Sequence, residues 1–305
     1  MTATHAITLI AAAERMPDLT AVEAVVVRHR VHIESRRVVP VPCSLGAVRA
    51  VETWILDGLE GDEAMAAMNR EMRALEVPVD RVLQTLAVRH AHYQLAVFDM
   101  DSTLIRCESI DELAALHGVG EQVAAITERA MRGELDFDAS FAERLAMLRG
   151  LDGQVATDIA AQLPVTEGAA ELMVTLRARG VETAILSGGF DIFACALQNQ
   201  LGIDHIVANT LEIEAGALTG RVVPPIVNGQ HKADMLQRLL DARGLQANQA
   251  IAVGDGANDL PMLAKAGLGV AFHAKPRVQD AAQYAVNIGG LDSIANLLGA
   301  PGEAD

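Results

Sequence analysis

The sequence predicts an α/β fold: a doubly wound, mostly parallel sheet with an inserted helical cap, preceded by a smaller N-terminal unit. Three observations support this prediction. Beyond residue 165, apolar strand patterns alternate with helical patterns, the order that produces a parallel sheet. Between residues 107 and 164, four helical patterns follow one another with no strand between them. Before residue 90, the order is βαββαβ, the ferredoxin-like plan.

The N-terminal unit, residues 1–90, has six predicted elements. Strands are predicted at 6–12, 31–39, 47–56 and 77–83, and amphipathic helices at 19–28 and 62–75. In its element order this unit resembles ACT-type domains, the amino-acid-sensing modules of many metabolic enzymes. The first strand-to-helix loop, residues 14–18, lacks the glycine with which such domains bind a ligand. We therefore expect this unit to pack or to form a homodimer without binding an effector.

The second unit, residues 91–305, contains the cap and the parallel sheet. The cap helices are predicted at 109–117, 121–131, 138–148 and 152–161, with Asp138 and Asp152 as N-caps. Further helices are predicted at 167–179, 190–201 and 231–243, and a hairpin at 212–221. The strands are predicted at 95–98, 181–186, 205–208, 250–253, 268–272 and 285–288.

Composition restricts the class of protein. The 305 residues are 51% hydrophobic and 21% charged, which is typical of globular domains. The net charge of -16 argues against nonspecific binding to nucleic acid or to an anionic membrane. Cys43, Cys107 and Cys195 are widely spaced, as expected of free thiols in a reducing cytosol. The apolar stretch 6–13 is too short to span a bilayer and has no preceding Lys or Arg, so we expect a cytoplasmic protein.

The stretch 95–104 ends a buried strand in two aspartates. Asp99 and Asp101 follow an apolar run, and ligands of open α/β sheets bind at the carboxyl ends of strands. In a continued strand these two carboxylates would share a side and repel, unless a cation or a proton lay between them. Hard oxygen ligands of this kind suit Mg²⁺. Taken alone, the same residues are equally typical of a strand-to-turn boundary.

Two further strands end in polar sequences that contain glycine. Ser187-Gly188-Gly189 follows one strand, and the run 254–259 follows another. Lys232, at a predicted helix start, adds a cation. Taken alone, a lysine at such a position more often lies on the surface of its helix. Lysine, serine and backbone N–H groups at a helix start suit a phosphate. A carboxylate can also act as a covalent nucleophile and form an aspartyl-phosphate.

Together these motifs, which cover roughly residues 95–290, resemble those of the haloacid dehalogenase superfamily of phosphatases and, within it, the phosphoserine phosphatase family. The resemblance implies that Asp99 is the nucleophile and that Asp101 protonates the leaving oxygen and then activates water. It further implies that Mg²⁺ is held by Asp99, Asp255 and the backbone carbonyl of Asp101. The remaining implied phosphate-binding or supporting residues are Ser187, Gly188, Lys232, Asn258 and Asp259.

The cap is expected to select the substrate. A phosphoamino acid carries an ammonium and a carboxylate besides its phosphate, so its recognition needs one acid and one base. By the same resemblance, Glu108 binds the substrate, Phe137 lies over it and Arg144 binds its carboxylate. Each residue also has an ordinary alternative: a helix N-terminal acid for Glu108, core for Phe137 and a solvated face for Arg144.

The implied activity is Mg²⁺-dependent hydrolysis of O-phospho-L-serine, the last step of L-serine biosynthesis. Two alternatives stay open. A phosphotransferase of the same fold, or a phosphatase for another phosphorylated amino acid or small metabolite, would use the same nucleophile. A phospho-receiver or an amino-acid sensor would belong to another class, although receivers are small and lack a helical cap.

Overall fold

The protein is described by a computed structural model that covers residues 3–39 and 49–299. Its N-terminal unit has the predicted βαββαβ order: β1 (His5–Ala11), α1 (Thr20–Arg28), β2 (His32–Val39), β3 (Ala50–Asp57), α2 (Asp62–Arg73) and β4 (Asp80–Thr85). The strands form an antiparallel sheet in the order β2-β3-β1-β4, which confirms the ferredoxin-like plan. Cys43 and the first residues of the predicted strand 47–56 lie outside the described residues.

The core of this unit lies between its sheet and its two helices. Ile7 and Leu9 of β1 and Trp54 of β3 are fully buried against the apolar sides of α1 and α2. Met68 and Met72, one helical turn apart, form the buried stripe of α2. The helical period in the sequence therefore marks the side of α2 that packs on the sheet.

The second unit follows a short helix, α3 (Leu86–Arg89). Its strands are β5 (Leu95–Phe98), β6 (Glu182–Phe190), β7 (His205–Asn209), the hairpin β8 (Ile213–Glu214) and β9 (Ala217–Leu218), β10 (Ala250–Gly254), β11 (Leu268–Phe272) and β12 (Tyr284–Val286). Six of them form a parallel sheet in the order β12-β11-β10-β5-β6-β7, as the repeated βα pattern predicts. The helices on its faces are α8 (Ala169–Ala178), α9 (Asp191–Leu201), α10 (Gly229–Arg243), α11 (Leu260–Lys265) and α12 (Pro276–Ala281).

The cap consists of four helices between β5 and α8. They are α4 (Ser109–His117), α5 (Gly120–Met131), α6 (Phe137–Met147) and α7 (Gly153–Ala160). Its two connections to the sheet run side by side, since Ile105 pairs with Val165. The Asp152 carboxylate accepts a hydrogen bond from the Gln154 N–H, which confirms this N-cap. The prediction for Asp138 is wrong: α6 begins at Phe137, and Asp136 caps it by accepting from the Ala139 N–H at 2.8 Å.

The two units meet where β4 faces the end of β12. The buried Asp80 carboxylate accepts hydrogen bonds from the backbone N–H groups of Asn287, Ile288 and Gly289 at 2.8, 2.8 and 3.1 Å. Nearby, the Arg73 guanidinium donates to the Gln279 carbonyl at 2.7 Å. Asp80 therefore supplies the acceptor for three consecutive backbone donors of the second unit.

Across residues 3–39 and 49–299, no helix has both the length and the apolar character needed to cross a membrane.

Candidate active site

The three polar strand ends converge because β10, β5 and β6 are neighbours in the sheet. All three strands run parallel, so their carboxyl ends meet at one edge. A cavity of about 210 Å³ opens between this edge and the cap. Of the residues singled out in the sequence, those that line it are Asp99, Asp101, Glu108, Phe137, Arg144, Ser187, Gly188, Asp255 and Asn258. The structure places Lys232 and Asp259 behind Asp99, where both are fully buried.

Lys232 bridges two buried carboxylates. Its ammonium lies 2.7 Å from an oxygen of Asp99 and 2.7 Å from an oxygen of Asp259. Burial by itself lowers the pKa of Lys232, but the two carboxylates outweigh this effect and leave the pKa raised. Lys232 is therefore an internal lysine paired with two carboxylates, and the alternative of a surface lysine is excluded.

The carboxylates of Asp99, Asp255 and Asp259 form a cluster whose oxygens lie within 4.8 Å of one another. Burial, with repulsion from Asp259, raises the pKa of Asp99 and raises that of Asp255 to about 7. Both oxygens of Asp259 are engaged, by Lys232 and by the Gly256 N–H. The donor set and its excess negative charge fit a divalent cation that prefers oxygen ligands. Asp99 and Asp255 are the members of this cluster that could hold it.

Asp101 does not lie on a continued strand, the condition under which its carboxylate would share a side with that of Asp99. Strand β5 ends at Phe98, and the chain then turns sharply through Ser102, whose φ is +54°. This turn directs the Asp101 side chain toward Ser109 in the cap connection. Burial and the nearby Glu108 raise the pKa of Asp101 to about 7. A carboxyl with this pKa can both give and take a proton near neutral pH.

The Ser187-Gly188-Gly189 segment lies within β6, which continues to Phe190, so the prediction that the strand ends at 186 is wrong. The Ser187 hydroxyl is fully buried and accepts a hydrogen bond from the Gly189 N–H at 2.9 Å. A Cβ on Gly188 would lie 3.0 Å from the Phe137 ring. The absence of a side chain at this position therefore lets Phe137 close over the strand.

The cap contributes an acid, a base and an aromatic wall. Glu108 accepts a hydrogen bond from the Ser102 hydroxyl at 2.6 Å. The guanidinium of Arg144 faces the cavity and is half-buried, and burial lowers its pKa, although an arginine stays charged. Phe137 stacks on Phe141 with ring centroids 6.1 Å apart. The cap therefore brings one negative and one positive side chain, Glu108 and Arg144, to the cavity that Asp99 and Asp255 also line.

Sequence reasoning missed several residues that hold the site together. The Asn209 side chain donates to the Gly188 carbonyl and accepts from the Val227 N–H, each at 2.8 Å. Asn209 ends β7, so the rule that marks polar residues at carboxyl strand ends would have found it. Thr103 donates to Asp255 at 3.2 Å, and Ser109 donates to Asp101 at 2.8 Å. Thr103 belongs to the polar run 99–103 that follows β5, but the sequence predicts neither its partner nor that of Ser109.

Cys107 lies beside the site but is not an activated thiol. It is half-buried, and burial together with nearby Asp101 raises its pKa to about 11. A thiol with this pKa is protonated near neutral pH and is a poor nucleophile.

Comparisons with known proteins agree on one family. Residues 96–264 match the model of the haloacid dehalogenase-like hydrolases. The chain is 46% identical over 252 residues to a phosphoserine phosphatase from Streptomyces coelicolor, an alignment that covers 83% of this chain and 61% of that protein. It is 45% identical to a phosphoserine phosphatase from Vibrio cholerae, over 72% of this chain and 70% of that protein.

A solved structure resembles nearly the whole chain. A haloacid dehalogenase family hydrolase from Salmonella enterica serovar Typhi superposes with a TM-score of 0.82 at 30% identity, over 96% of this chain and 98% of that one. The similarity therefore extends to the N-terminal unit as well as to the parallel sheet and its cap.

Proposed function

This chain belongs to the haloacid dehalogenase-like hydrolase family, and we propose that it is a phosphoserine phosphatase that hydrolyses O-phospho-L-serine to L-serine and phosphate. The reaction is the hydrolysis of a phosphoric monoester and completes L-serine biosynthesis. One observation supports it above all: Asp99, which pairs with the buried Lys232, lines the same cavity as the Glu108 and Arg144 side chains of the cap. This arrangement provides a place for each charged group of a phosphoamino acid.

In the proposed first step, an Asp99 carboxylate oxygen attacks the phosphorus. The new bond to Asp99 forms as the bond to the serine oxygen breaks, and Asp101 gives its proton to that leaving oxygen. In the second step, Asp101 takes a proton from a water molecule as the water oxygen bonds to the phosphorus. The P–O bond to Asp99 breaks, which restores the Asp99 carboxylate and releases phosphate. Lys232 and Ser187 hold phosphoryl oxygens in both steps, because phosphoryl transfer depends mainly on positioning and charge neutralisation.

Asp99, Asp255 and the backbone carbonyl of Asp101 would hold Mg²⁺ in this proposal. The fit rests on the chemistry of the site: three clustered carboxylates, two of which, Asp99 and Asp255, have pKa values raised by burial and by repulsion from Asp259. When bound, the ion neutralises charge between the nucleophile and the phosphate dianion. Asp259 supports the site from behind through Lys232 and the Gly256 N–H.

The deciding experiment measures phosphate release from a panel of esters, with Mg²⁺ and with EDTA. The panel is O-phosphoserine, O-phosphothreonine, phosphohomoserine, a sugar phosphate and p-nitrophenyl phosphate. We expect the highest kcat/KM for O-phosphoserine and a rate at least about a hundredfold lower in EDTA. A preference for the sugar phosphate would overturn the roles of Glu108 and Arg144. No release without an added acceptor alcohol would favour a phosphotransferase.

Replacing Arg144 is expected to weaken binding of the amino-acid part of the substrate. We expect Arg144→Ala to raise KM for O-phosphoserine roughly 10–100-fold, the scale of one lost charge-assisted hydrogen bond. KM for p-nitrophenyl phosphate, which has no carboxylate, should change less than about threefold. Steady-state kinetics on both esters measures the difference, and Arg132→Ala, an exposed cap arginine, is the matched control. Equal effects on KM for the two esters would show that Arg144 does not bind the substrate carboxylate.

The N-terminal unit has no assigned role in this chemistry. Its association into a homodimer stays a prediction, as does the absence of an effector. Likewise, the division of the chain at residue 90 and a cytoplasmic location stay predictions from the sequence.

A further inference from the structure

Ser109, the first residue of α4, holds both oxygens of the Asp101 carboxyl group. Its hydroxyl donates to Asp101 Oδ2 at 2.8 Å, and its backbone N–H donates to Oδ1 at 3.2 Å. The Ser109 side chain is fully buried. One residue of the cap connection thus fixes the side chain that transfers the proton in the proposed reaction.

The Asp101 side chain needs such an anchor because it does not lie on a regular strand or helix that would fix its direction. Asp101 lies in a turn, directly before Ser102 in its left-handed conformation. On the opposite side, the carboxyl group is confined by Gly189: a Cβ there would lie 2.7 Å from Asp101 Oδ2 and 2.9 Å from the Ser109 hydroxyl. The carboxyl group therefore sits in a slot between Ser109 and Gly189. Without the hydroxyl, the longer bond from the Ser109 N–H would be the one remaining hydrogen bond to this carboxyl group from the described residues.

We propose that Ser109 is a positioning residue that aims the Asp101 carboxyl group at the leaving-group oxygen. The inference rests on the proposed phosphatase function and deepens it. In the step concerned, the O–H bond of Asp101 breaks and an O–H bond forms on the departing serine oxygen, as the P–O bond to that oxygen breaks. Ser109 gains and loses no proton. Its contribution is geometric, and a misplacement of about 1 Å in such a site can cost roughly a hundredfold in rate.

The test compares two esters that differ in their need for a proton. The serine oxygen of O-phosphoserine leaves as an alcohol and requires the proton from Asp101. The p-nitrophenolate ion is a stable anion and leaves without one. The parameter to compare is kcat/KM, because it covers the steps up to departure of the leaving group and omits hydrolysis of the phosphoenzyme. The variant is Ser109→Ala, whose smaller side chain introduces no clash.

Ser109→Ala is expected to lower kcat/KM for O-phosphoserine about 30–100-fold and for p-nitrophenyl phosphate less than about threefold. Ser109→Thr, which keeps the hydroxyl, should recover most of the lost activity on O-phosphoserine. Ser293→Ala is the matched control, since Ser293 is equally buried and its hydroxyl has no partner in the described part of the chain. This control should leave kcat/KM for both esters unchanged.

The outcomes separate the inference from the proposed function. A loss of the same size on both esters would show that Ser109 supports only the fold of the site, and would overturn the positioning role. Unchanged kinetics on both esters would overturn it as well. If the unmodified protein hydrolysed p-nitrophenyl phosphate but not O-phosphoserine, the proposed function itself would fail, and the inference with it.

Discussion

Asp99→Asn is expected to lower turnover of O-phosphoserine by about four orders of magnitude or more, the scale at which other enzymes lose activity without their nucleophile. The amide cannot form the aspartyl-phosphate and also replaces one carboxylate of the proposed metal site. Steady-state phosphate release measures the effect. Asp158→Asn, an exposed aspartate of the cap, is the control and should keep the original rate.

The same substitution is expected to leave the protein folded and no less stable. Burial and the neighbouring Asp259 already raise the pKa of Asp99, so its surroundings favour a neutral group at this position. Lys232 keeps its second partner, Asp259, at 2.7 Å. A thermal unfolding scan should therefore show an unchanged or higher midpoint. A folded Asp99→Asn protein with full activity would contradict the role of Asp99 as nucleophile.

Lys232→Met is expected to reduce both turnover and stability. Turnover should fall about a thousandfold, because one buried cation faces both the nucleophile and the phosphoryl oxygens. Stability should fall by about 3–5 kcal/mol, the typical cost of removing one partner from a buried ion pair. Here two buried carboxylates, Asp99 and Asp259, lose the same cation. Kinetics and denaturant unfolding measure the two effects.

The stability loss of Lys232→Met should also depend on pH. Without the ammonium, the pKa of Asp99 in the folded protein rises further above its value in the unfolded chain. The folded variant then holds a proton at pH values where the folded unmodified protein has released it. The defect therefore grows as pH rises from the Asp99 pKa of the folded unmodified protein to the higher Asp99 pKa of the folded variant. Lys265→Met, a partly exposed lysine, is the control. An unfolding midpoint equal to that of the unmodified protein at pH 8 would contradict the structural role of Lys232.

Much of the site follows from the sequence because one geometric rule governs it. Asp99, Ser187 and Asp255 come directly at or after the ends of apolar runs, and parallel strands present these ends at a common edge. The βα order alone therefore brings together residues that are far apart along the chain. The number and approximate bounds of the cap helices follow from a different pattern. Apolar residues recur there at the helical period, because each helix buries one side.

Other features depend on contacts that no period encodes. The direction of Asp101 follows from the left-handed backbone of Ser102, a conformation that a serine rarely adopts and that its neighbours impose. The hydrogen bonds between Asp101 and Ser109 form only when the start of α4 packs against the turn after β5. Likewise, the N-cap at Asp136 differs from the predicted Asp138 by two residues, because both aspartates suit the start of a helix and only the tertiary fold decides between them.

The contact between Asp80 and the loop after β12 also bears on how the chain is made. The acceptor and the first of its donors are separated by 207 residues. During synthesis, Asp80 is made 207 residues before the first of its donors, Asn287. Until residues 287–289 have been made, the Asp80 carboxylate lacks the three backbone donors that it binds in the folded protein.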